Sequence, residues 1–304
     1  MSFKQTESGA WGPLNLLAGV IFCLSATVVA SDEKVVNWYG VDWAPAWILQ
    51  GPQKGQGYSD RTQKMLVEAL PGYQHKEIWT SFPRALRALE REENACFAAS
   101  FYEWLDSKTG KMREDIVWSA PTLLFYWHGL TVLKENRAKF EMDGQVWLAN
   151  HIVDDDKTLG LQKGRVYGPS LDPIIAQHQS KAKILWHNSD KETVEGQYRL
   201  LLRGRVDYMV EYSYMQRYAE KVLNMPDRFE FIPIQEHAGK IGLGAIACNN
   251  SALGRELVKK INQALKTLRH TSEFRNANTD WFMLEGREEE YWRLWEEEYL
   301  SRSD

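Results

Sequence analysis

The sequence predicts an α/β fold in two lobes, each a mainly parallel sheet flanked by helices, with two crossover segments joining the lobes. Strand-like and helix-like segments alternate in residues 34–100 and again in 163–212, a pattern typical of parallel sheets covered by helices. Two long apolar segments, 121–136 and 240–250, follow these two regions. The chain has 304 residues, 44% of them hydrophobic, which is enough for two such halves.

The first alternating region predicts three strands and two helices. Residues 34–48 form a short strand that runs into an aromatic, proline-containing loop. A helix follows, with Asp60 as its cap and a Pro-Gly pair at its end. The strand "HKEIWT" (75–80) leads to a second helix capped by Ser81, and the buried strand "ACFAAS" (95–100) completes the region.

The second alternating region has the same character. We predict strands at "KGRVYG" (163–168), "AKILWHN" (182–188) and "VDYMVEY" (206–212). Helices are predicted between them, one beginning near 169 and one that ends at Gly204. The two regions therefore predict one sheet each.

The rest of the chain predicts the lobe boundaries. Leucines and isoleucine at helical spacing predict a helix at 251–270, and an amphipathic helix closes the chain. We expect lobe 1 to hold 31–130 plus 243–304 and lobe 2 to hold 131–242, with hinges near 127–134 and 240–248. Ligands of open α/β sheets sit outside the carboxyl ends of the strands, so two facing lobes predict a closable cleft.

Charge excludes one class of partner. The formal net charge is −4, and no segment concentrates lysine and arginine enough to follow a phosphate backbone. We expect no nucleic-acid partner, and we expect a monomer that binds a small molecule.

The amino-terminal 30 residues resemble a secretory signal peptide. A short segment with Lys4 precedes the apolar run 13–30, and Val28 and Ala30 are small residues at the −3 and −1 positions of a cleavage site. The run is also near the length that spans a bilayer, so an uncleaved anchor is the alternative. Either way we expect the protein to be exported, with the periplasm as its location.

Export bears on the cysteines. Two of the three, Cys96 and Cys248, lie beyond the leader, and thiols tend to pair in an oxidising compartment. A disulfide between them is one hypothesis. The other is that both are small buried apolar residues, since both lie in strand-like segments.

Five motifs in order resemble the family 3 periplasmic solute-binding proteins. They are "WAPAW", "GQGYSDRTQKMLVEAL", "SFPRALRAL", "VWSAP" and "GRVDYMVEY". The helix end "ALPGY" and the cysteine in the third strand resemble one branch of that superfamily. The resemblance implies the two-lobed type II periplasmic-binding fold and a small polar or aromatic solute, amino-acid-like or a carboxylate. It also implies delivery of that solute to an ABC transporter permease or a membrane sensor.

The resemblance also implies contacts from lobe 1. Trp43 matches the aromatic residue that stacks on the ligand, and Phe82 matches the one that faces it. Arg113 is nearest to the arginine that grips a carboxylate, while Ser100 and Phe101 fill the strand end that offers polar groups. The alternatives are core aromatics and a solvated surface arginine.

In lobe 2 the resemblance implies three further residues of the ligand site. Ser170, in "YGPSLDPII", stands for the hydroxyl that meets an anionic group, with helix capping as the alternative. Glu211 and Tyr212 reach the cleft end of a strand, and Tyr212 replaces the aspartate that neutralises a ligand ammonium. A standard α-amino acid is therefore a doubtful ligand, and an aromatic or amphipathic solute is at least as plausible.

The sequence favours a binding protein over an enzyme. The seven histidines are scattered without metal-ligand spacing, and no nucleophile motif or phosphate loop is present. We therefore expect no metal and no cofactor. The alternative is a periplasmic dehydratase of the cyclohexadienyl type on the same fold, with Glu211 as its acid.

Overall fold

The computed structural model describes residues 34–100, 111, 113–141, 146–163, 165–187 and 194–302, without the side chains of Ala99 and Ser100. The predicted leader and Phe101 lie outside these ranges. No helix in the described part of the chain is long and apolar enough to cross a membrane.

In the described ranges ten strands form two five-stranded sheets. Their bounds are β1 Val35–Val41, β2 Gln74–Thr80, β3 Ala95–Ser100, β4 Ile116–Tyr126, β5 Gly129–Leu133, β6 Leu159–Gln162, β7 Ile184–His187, β8 Tyr208–Glu211, β9 Phe229–Ile232 and β10 Ile241–Asn249. The first sheet has the order β2-β1-β3-β10-β4 and the second β7-β6-β8-β5-β9. In each sheet three neighbouring strands are parallel, and one strand, β10 or β5, runs antiparallel to both of its neighbours, so four of the five strands share one direction.

Helices flank both sheets. They are α1 Tyr58–Glu68, α2 Phe82–Arg91, α3 Leu148–His151, α4 Asp172–His178, α5 Val194–Leu202, α6 Ser213–Leu223, α7 Ala252–Leu268, α8 Ser272–Phe282 and α9 Glu288–Leu294. Short 3-10 turns cover Lys134–Lys139 and Gln235–His237, and a π-helical turn at Trp295–Leu300 continues α9. The closing helix buries Trp295 completely, as its amphipathic pattern predicts.

Helix α1 begins earlier than the sequence suggested. Its N-cap is Gly57, not Asp60, whose carboxylate instead accepts hydrogen bonds from the backbone N–H groups of Gly57 (3.0 Å) and Ile48 (2.9 Å). A Cβ atom on Gly57 would lie 2.3 Å from the carbonyl oxygen of Ala46. The loop after β1 therefore packs against the helix start so closely that only glycine fits there.

Two crossovers join the sheets. The first is the pair Trp127–His128 between β4 and β5, and the second is the segment 233–240 between β9 and β10. The first sheet thus uses strands from 35–126 and 241–249, and the second uses strands from 129–133 and 159–232. The crossovers touch, because the Nδ1–H of His237 donates to the carbonyl oxygen of His128 at 2.9 Å.

The disulfide between Cys96 and Cys248 is present. Both residues are fully buried, and they lie directly opposite each other on the antiparallel strands β3 and β10. The bond ties the first part of the chain to the segment that returns from the second sheet.

Helix α6, which follows β8 of the second sheet, packs against the first lobe. Tyr214 contacts the rings of Tyr58 (5.6 Å), Phe125 (6.2 Å) and Phe282 (5.2 Å). All four residues are buried. One apolar core therefore continues from the first lobe into α6, and a second core lies within the other lobe.

Candidate functional site

Trp43 and Phe82 both lie at the carboxyl edge of the first sheet. Trp43 is in the loop after β1, where its carbonyl oxygen accepts hydrogen bonds from the N–H groups of Ala46 (2.9 Å) and Trp47 (3.1 Å). Phe82 is the first residue of α2, directly after β2. Because β1 and β2 are parallel neighbours, their carboxyl ends place these two half-buried aromatic residues at one edge.

A further tryptophan stands behind this edge. The ring of Phe82 meets Phe97 edge-on at 5.7 Å, and Phe97 stacks on Trp47 at 5.6 Å. Trp47 is 2% exposed, so it belongs to the core and supports Phe82 through Phe97. Of the two tryptophans in "WAPAW", only Trp43 stays partly accessible.

Ser100 ends β3 at the same edge, where its backbone lies opposite Gly244 of β10. The strand end that the sequence predicted is therefore in place. Phe101, the next residue, lies outside the described residues.

Arg113 lies at the opposite end of the first sheet. It precedes β4, which starts opposite Asn249, close to the amino end of β3. Its guanidinium forms ion pairs with Asp115 and with Glu90 (3.2 Å), and it lines a groove between β4 and α7. The structure does not bring Arg113 to Trp43 and Phe82, because β4 runs in the same direction as β1, β2 and β3, so a residue before β4 lies at their amino edge, while Trp43 and Phe82 follow carboxyl ends.

Ser170 lies at the start of α4 but does not cap it. The N-cap is Leu171, and the Asp172 carboxylate closes the turn by accepting from the N–H groups of Tyr167 (2.9 Å) and Gly168 (3.1 Å). The Ser170 hydroxyl accepts a hydrogen bond from Lys240 Nζ at 3.1 Å. Ser170 therefore contacts the second crossover.

Glu211 forms a buried ion pair with Arg165. Glu211 is the last residue of β8, and the exposed fractions of the two side chains are 4% and 13%. Arg165 Nη1 donates to Oε1, and Nη2 donates to Oε2 at 3.2 Å. The backbone N–H of Tyr212 also donates to Oε2, at 3.0 Å. Both carboxylate oxygens thus have donors within the protein.

Aromatic rings enclose the Arg165 guanidinium. It lies 5.2 Å from the ring centre of Tyr167 and 5.4 Å from that of Tyr212, distances at which cation–π attraction operates. Burial, the largest single effect, would lower the pKa of Arg165, but the charge and hydrogen bond of Glu211 together with Tyr167 and Tyr212 outweigh it and hold that pKa above its usual range. Arg165 is therefore a permanent cation held by Glu211.

His128, in the first crossover, completes the cluster. Its Nε2 lies 3.3 Å from Arg165 Nη2, and a guanidinium can only donate, so Nε2 accepts and Nδ1 carries the proton. Nδ1 is buried and has no partner among the described residues. Burial lowers the pKa of His128 well below its usual value, and the charges of Arg165 and His237 add to this effect.

Tyr212 lies at the centre of a row of rings. It stacks on His128 with centres 3.9 Å apart and on Tyr214 at 4.9 Å, and it meets Phe125 edge-on at 5.6 Å. The phenol that replaces the expected aspartate is thus part of an aromatic wall between the first crossover and α6.

The sequence analysis missed Arg165 and His128. It assigned Arg165 to a strand at 163–168, whereas β6 is Leu159–Gln162, which places Arg165 just past the carboxyl end of that strand. An arginine just past the carboxyl end of a parallel strand is a candidate ligand residue. A correct prediction of where β6 ends would have identified it. His128 carried no comparable signal, because a lone histidine is usually structural.

Comparisons with known proteins support the fold. No protein-family model and no curated protein match the chain. Among solved structures, the probable amino-acid ABC transporter extracellular-binding protein ytmK of Bacillus subtilis has a TM-score of 0.61 and 12% identity, over 82% of this chain and 97% of that one.

Two other solved structures are similar. The VFT2 domain of Bordetella pertussis BvgS has a TM-score of 0.55 and 16% identity, over 81% of this chain and 93% of that one. A mutant of ArgBP from T. maritima has a TM-score of 0.54 and 16% identity, over 81% and 94%. The predicted two-lobed periplasmic-binding fold is confirmed.

Proposed function

We propose that this chain is a solute-binding protein that holds a small polar or aromatic molecule between the carboxyl edges of its two sheets. The observation that carries the proposal is the buried cluster of Arg165, Glu211 and His128, which lies at the edge of the second sheet and beside a crossover. Polar groups buried at that edge are what a ligand site in an open α/β sheet requires.

Ligand contacts in this proposal come from both lobes. Trp43 and Phe82 offer flat apolar surfaces, and the end of β3 at Ser100 offers backbone groups. From lobe 2 we assign Glu211 and Tyr212 to the site, with its arginine being Arg165, which pairs with Glu211, in place of Arg113. Closure by bending at the two crossovers would be driven by contacts that the solute makes only when both lobes meet it.

The wider role follows from the same proposal. Proteins of this fold include an ABC transporter extracellular-binding protein and a domain of BvgS. We propose that the chain is exported to the periplasm through residues 1–30, acts as a monomer, and presents its solute to a transporter permease or a membrane sensor.

A dehydratase is the weaker proposal. That chemistry needs Glu211 to give a proton to a substrate. Both oxygens of Glu211 instead accept hydrogen bonds from Arg165, and one also accepts from the Tyr212 N–H. Glu211 is thus engaged as an acceptor and not as an acid.

Native mass spectrometry of protein purified without refolding tests the proposal. We expect a bound molecule whose mass disappears on denaturation, and small-angle scattering should show that removing it expands the protein. Product formation from prephenate or arogenate that is lost in Glu211→Gln would favour the dehydratase. Protein that neither carries a solute nor changes its dimensions with one would contradict the binding role.

A further inference from the structure

We propose that the solute is uncharged and planar and carries a hydrogen-bond acceptor, because the protein neutralises its own binding charges at the lobe 2 edge. This inference rests on the proposed function. It names Arg165 as the residue that determines which solutes are accepted.

Glu211 is already paired with Arg165 before any solute binds. A receptor for an ammonium group needs a carboxylate that is unpaired until the ligand arrives. Here Arg165 contacts both oxygens of Glu211, and the position that would supply another acid is Tyr212. A cationic solute would have to displace Arg165 and leave that guanidinium buried without its partner, which is strongly unfavourable.

Anionic solutes are disfavoured for the same reason, the cost of leaving a buried charge unpaired. A carboxylate solute would have to compete with Glu211 for Arg165. The exposed fraction of the Glu211 side chain is only 4%, so a displaced Glu211 would remain as a desolvated, unpaired charge. Solutes of either sign therefore break the pair, and only an uncharged solute leaves it intact.

The flat groups around Arg165 determine the shape of solute that fits beside them. Tyr212 and His128 stack with centres 3.9 Å apart, and the Cζ atom of the Arg165 guanidinium lies 5.2 Å and 5.4 Å from the ring centres of Tyr167 and Tyr212. These groups make a wall of flat surfaces in lobe 2. Flat aromatic groups prefer offset stacking or edge contacts with other rings, so the wall favours a planar solute.

His128 offers one further hydrogen-bond donor to a solute. The Nδ1–H of His128 is buried and unpartnered among the residues described, beside the ring of Tyr212. A buried donor without an acceptor is costly, and buried polar groups in native proteins nearly always have a partner. A carbonyl or ring-nitrogen acceptor on the solute would satisfy it without bringing a charge.

A charge series on one ring tests the inference. Calorimetry at pH 7 would compare indole-3-acetamide (neutral), indole-3-acetate (anion), tryptamine (cation) and L-tryptophan (zwitterion) on the whole exported protein. We expect the neutral amide to bind at least tenfold more tightly than each charged compound. A charged compound that binds best, or the absence of binding by the whole series, overturns the inference.

Variants of the pair should reverse the order. Arg165→Met frees Glu211, so tryptamine should gain at least tenfold relative to the amide, and Glu211→Gln should do the same for indole-3-acetate. The double variant Arg165→Met/Glu211→Leu removes both charges, so it should keep the preference for the amide. It is the variant to test if the single variants fail to fold. The same substitutions on the exposed pair of Arg199 and Glu195 serve as controls and should leave the order unchanged.

The outcome separates the two proposals. A charged molecule released by the purified protein in native mass spectrometry would overturn the uncharged solute and still support the binding role. If tryptamine gains nothing in a folded Arg165→Met variant, Arg165 does not determine specificity, whatever the function of the cleft.

Discussion

Arg217 of helix α6 donates a hydrogen bond from Nη2 to the backbone carbonyl oxygen of Met283, directly after helix α8. Its Nη1 also reaches the carbonyl oxygens of Thr279 (3.4 Å) and Asp280 (3.3 Å). A cation at the carboxyl end of a helix meets the orphan carbonyl groups and the negative end of the helix dipole. A residue of α6, the helix between β8 and β9 of the second sheet, is thereby tied to α8 of the first lobe.

This contact predicts that Arg217→Ala loosens the lobes. Hydrogen bonds from a charged group contribute about 1.5–3 kcal/mol, so we expect a loss of that order in the free energy of unfolding. Small-angle scattering should also show a larger radius of gyration for the solute-free protein. Arg199→Ala, at an exposed position of α5, is the control. If both variants lost the same stability and had the same radius of gyration, the contact would not join the lobes.

The Arg165–Glu211 pair predicts an asymmetric effect on stability. Glu211→Gln leaves a buried guanidinium without its counterion, and we expect the free energy of unfolding to fall by about 3–5 kcal/mol in urea titration. Glu195→Gln, which breaks the exposed pair with Arg199, should cost less than about 1 kcal/mol. Similar losses in both variants would show that Arg165 is solvated in solution.

The disulfide predicts a stability that depends on redox conditions. The bond closes a loop with a sequence separation of 152, so reduction should lower the free energy of unfolding by about 3–5 kcal/mol. Thermal unfolding with and without reductant measures this. The double variant Cys96→Ala/Cys248→Ala should unfold at one temperature in both buffers, and a remaining dependence on reductant would locate the effect elsewhere.

The buried histidines predict a loss of stability in mild acid. The pKa of His128 lies well below its usual 6.5, so as pH falls through 6.5 the unfolded chain takes up a proton that the folded chain refuses. Stability should be flat above pH 6.5 and fall below it by up to about 1.4 kcal/mol per pH unit for each such histidine. Burial lowers the pKa values of His151 and His237 as well.

His128→Gln should make this slope shallower, whatever it does to the absolute stability. Urea titrations at several values between pH 5 and 7.5 provide the measurement. His270→Gln, at an exposed position, is the control and should retain the full slope. An unchanged slope in His128→Gln would mean that the histidine is protonated in the folded protein.

The edge of the first sheet predicts which lobe 1 residues bind the solute. Trp43→Ala removes a half-buried ring from that edge, and we expect at least a tenfold loss of affinity for the molecule that the purified protein carries, about 1.4 kcal/mol. Arg113→Ala, at the other end of the sheet, should leave affinity unchanged. The reverse result would place the solute in the groove beside α7.

Local patterns explain most of what could be predicted. The strand at 206–212, the helix end at Gly204 and the half-buried Trp43 follow from periodicity, a C-terminal glycine and a loop proline, all of which depend on neighbouring residues. From the sequence, a disulfide and two free buried thiols were equally good hypotheses. The disulfide requires that β3 and β10 be neighbours in the sheet, and local sequence does not show strand order.

The position of Arg113 could not be predicted from local patterns. Its motif suggested a ligand arginine, but its position depends on which end of β4 it precedes and on the order of strands between β4 and β1. Arg165 was missed for a related reason, because β6 ends three residues before it and not after it. An error of a few residues in a strand end moves a side chain from a sheet face to a ligand edge.

By itself, the sequence determined the class of fold, the order of its elements and the unusual tyrosine at position 212, since each is written in neighbouring residues. Only the tertiary structure decided that Arg165 meets Glu211 across 46 positions of sequence and reaches His128 across 37. Interactions between distant charges depend on sheet order and burial, and no local pattern encodes either. The net charge at the edge of the second sheet was therefore decided by the folded chain.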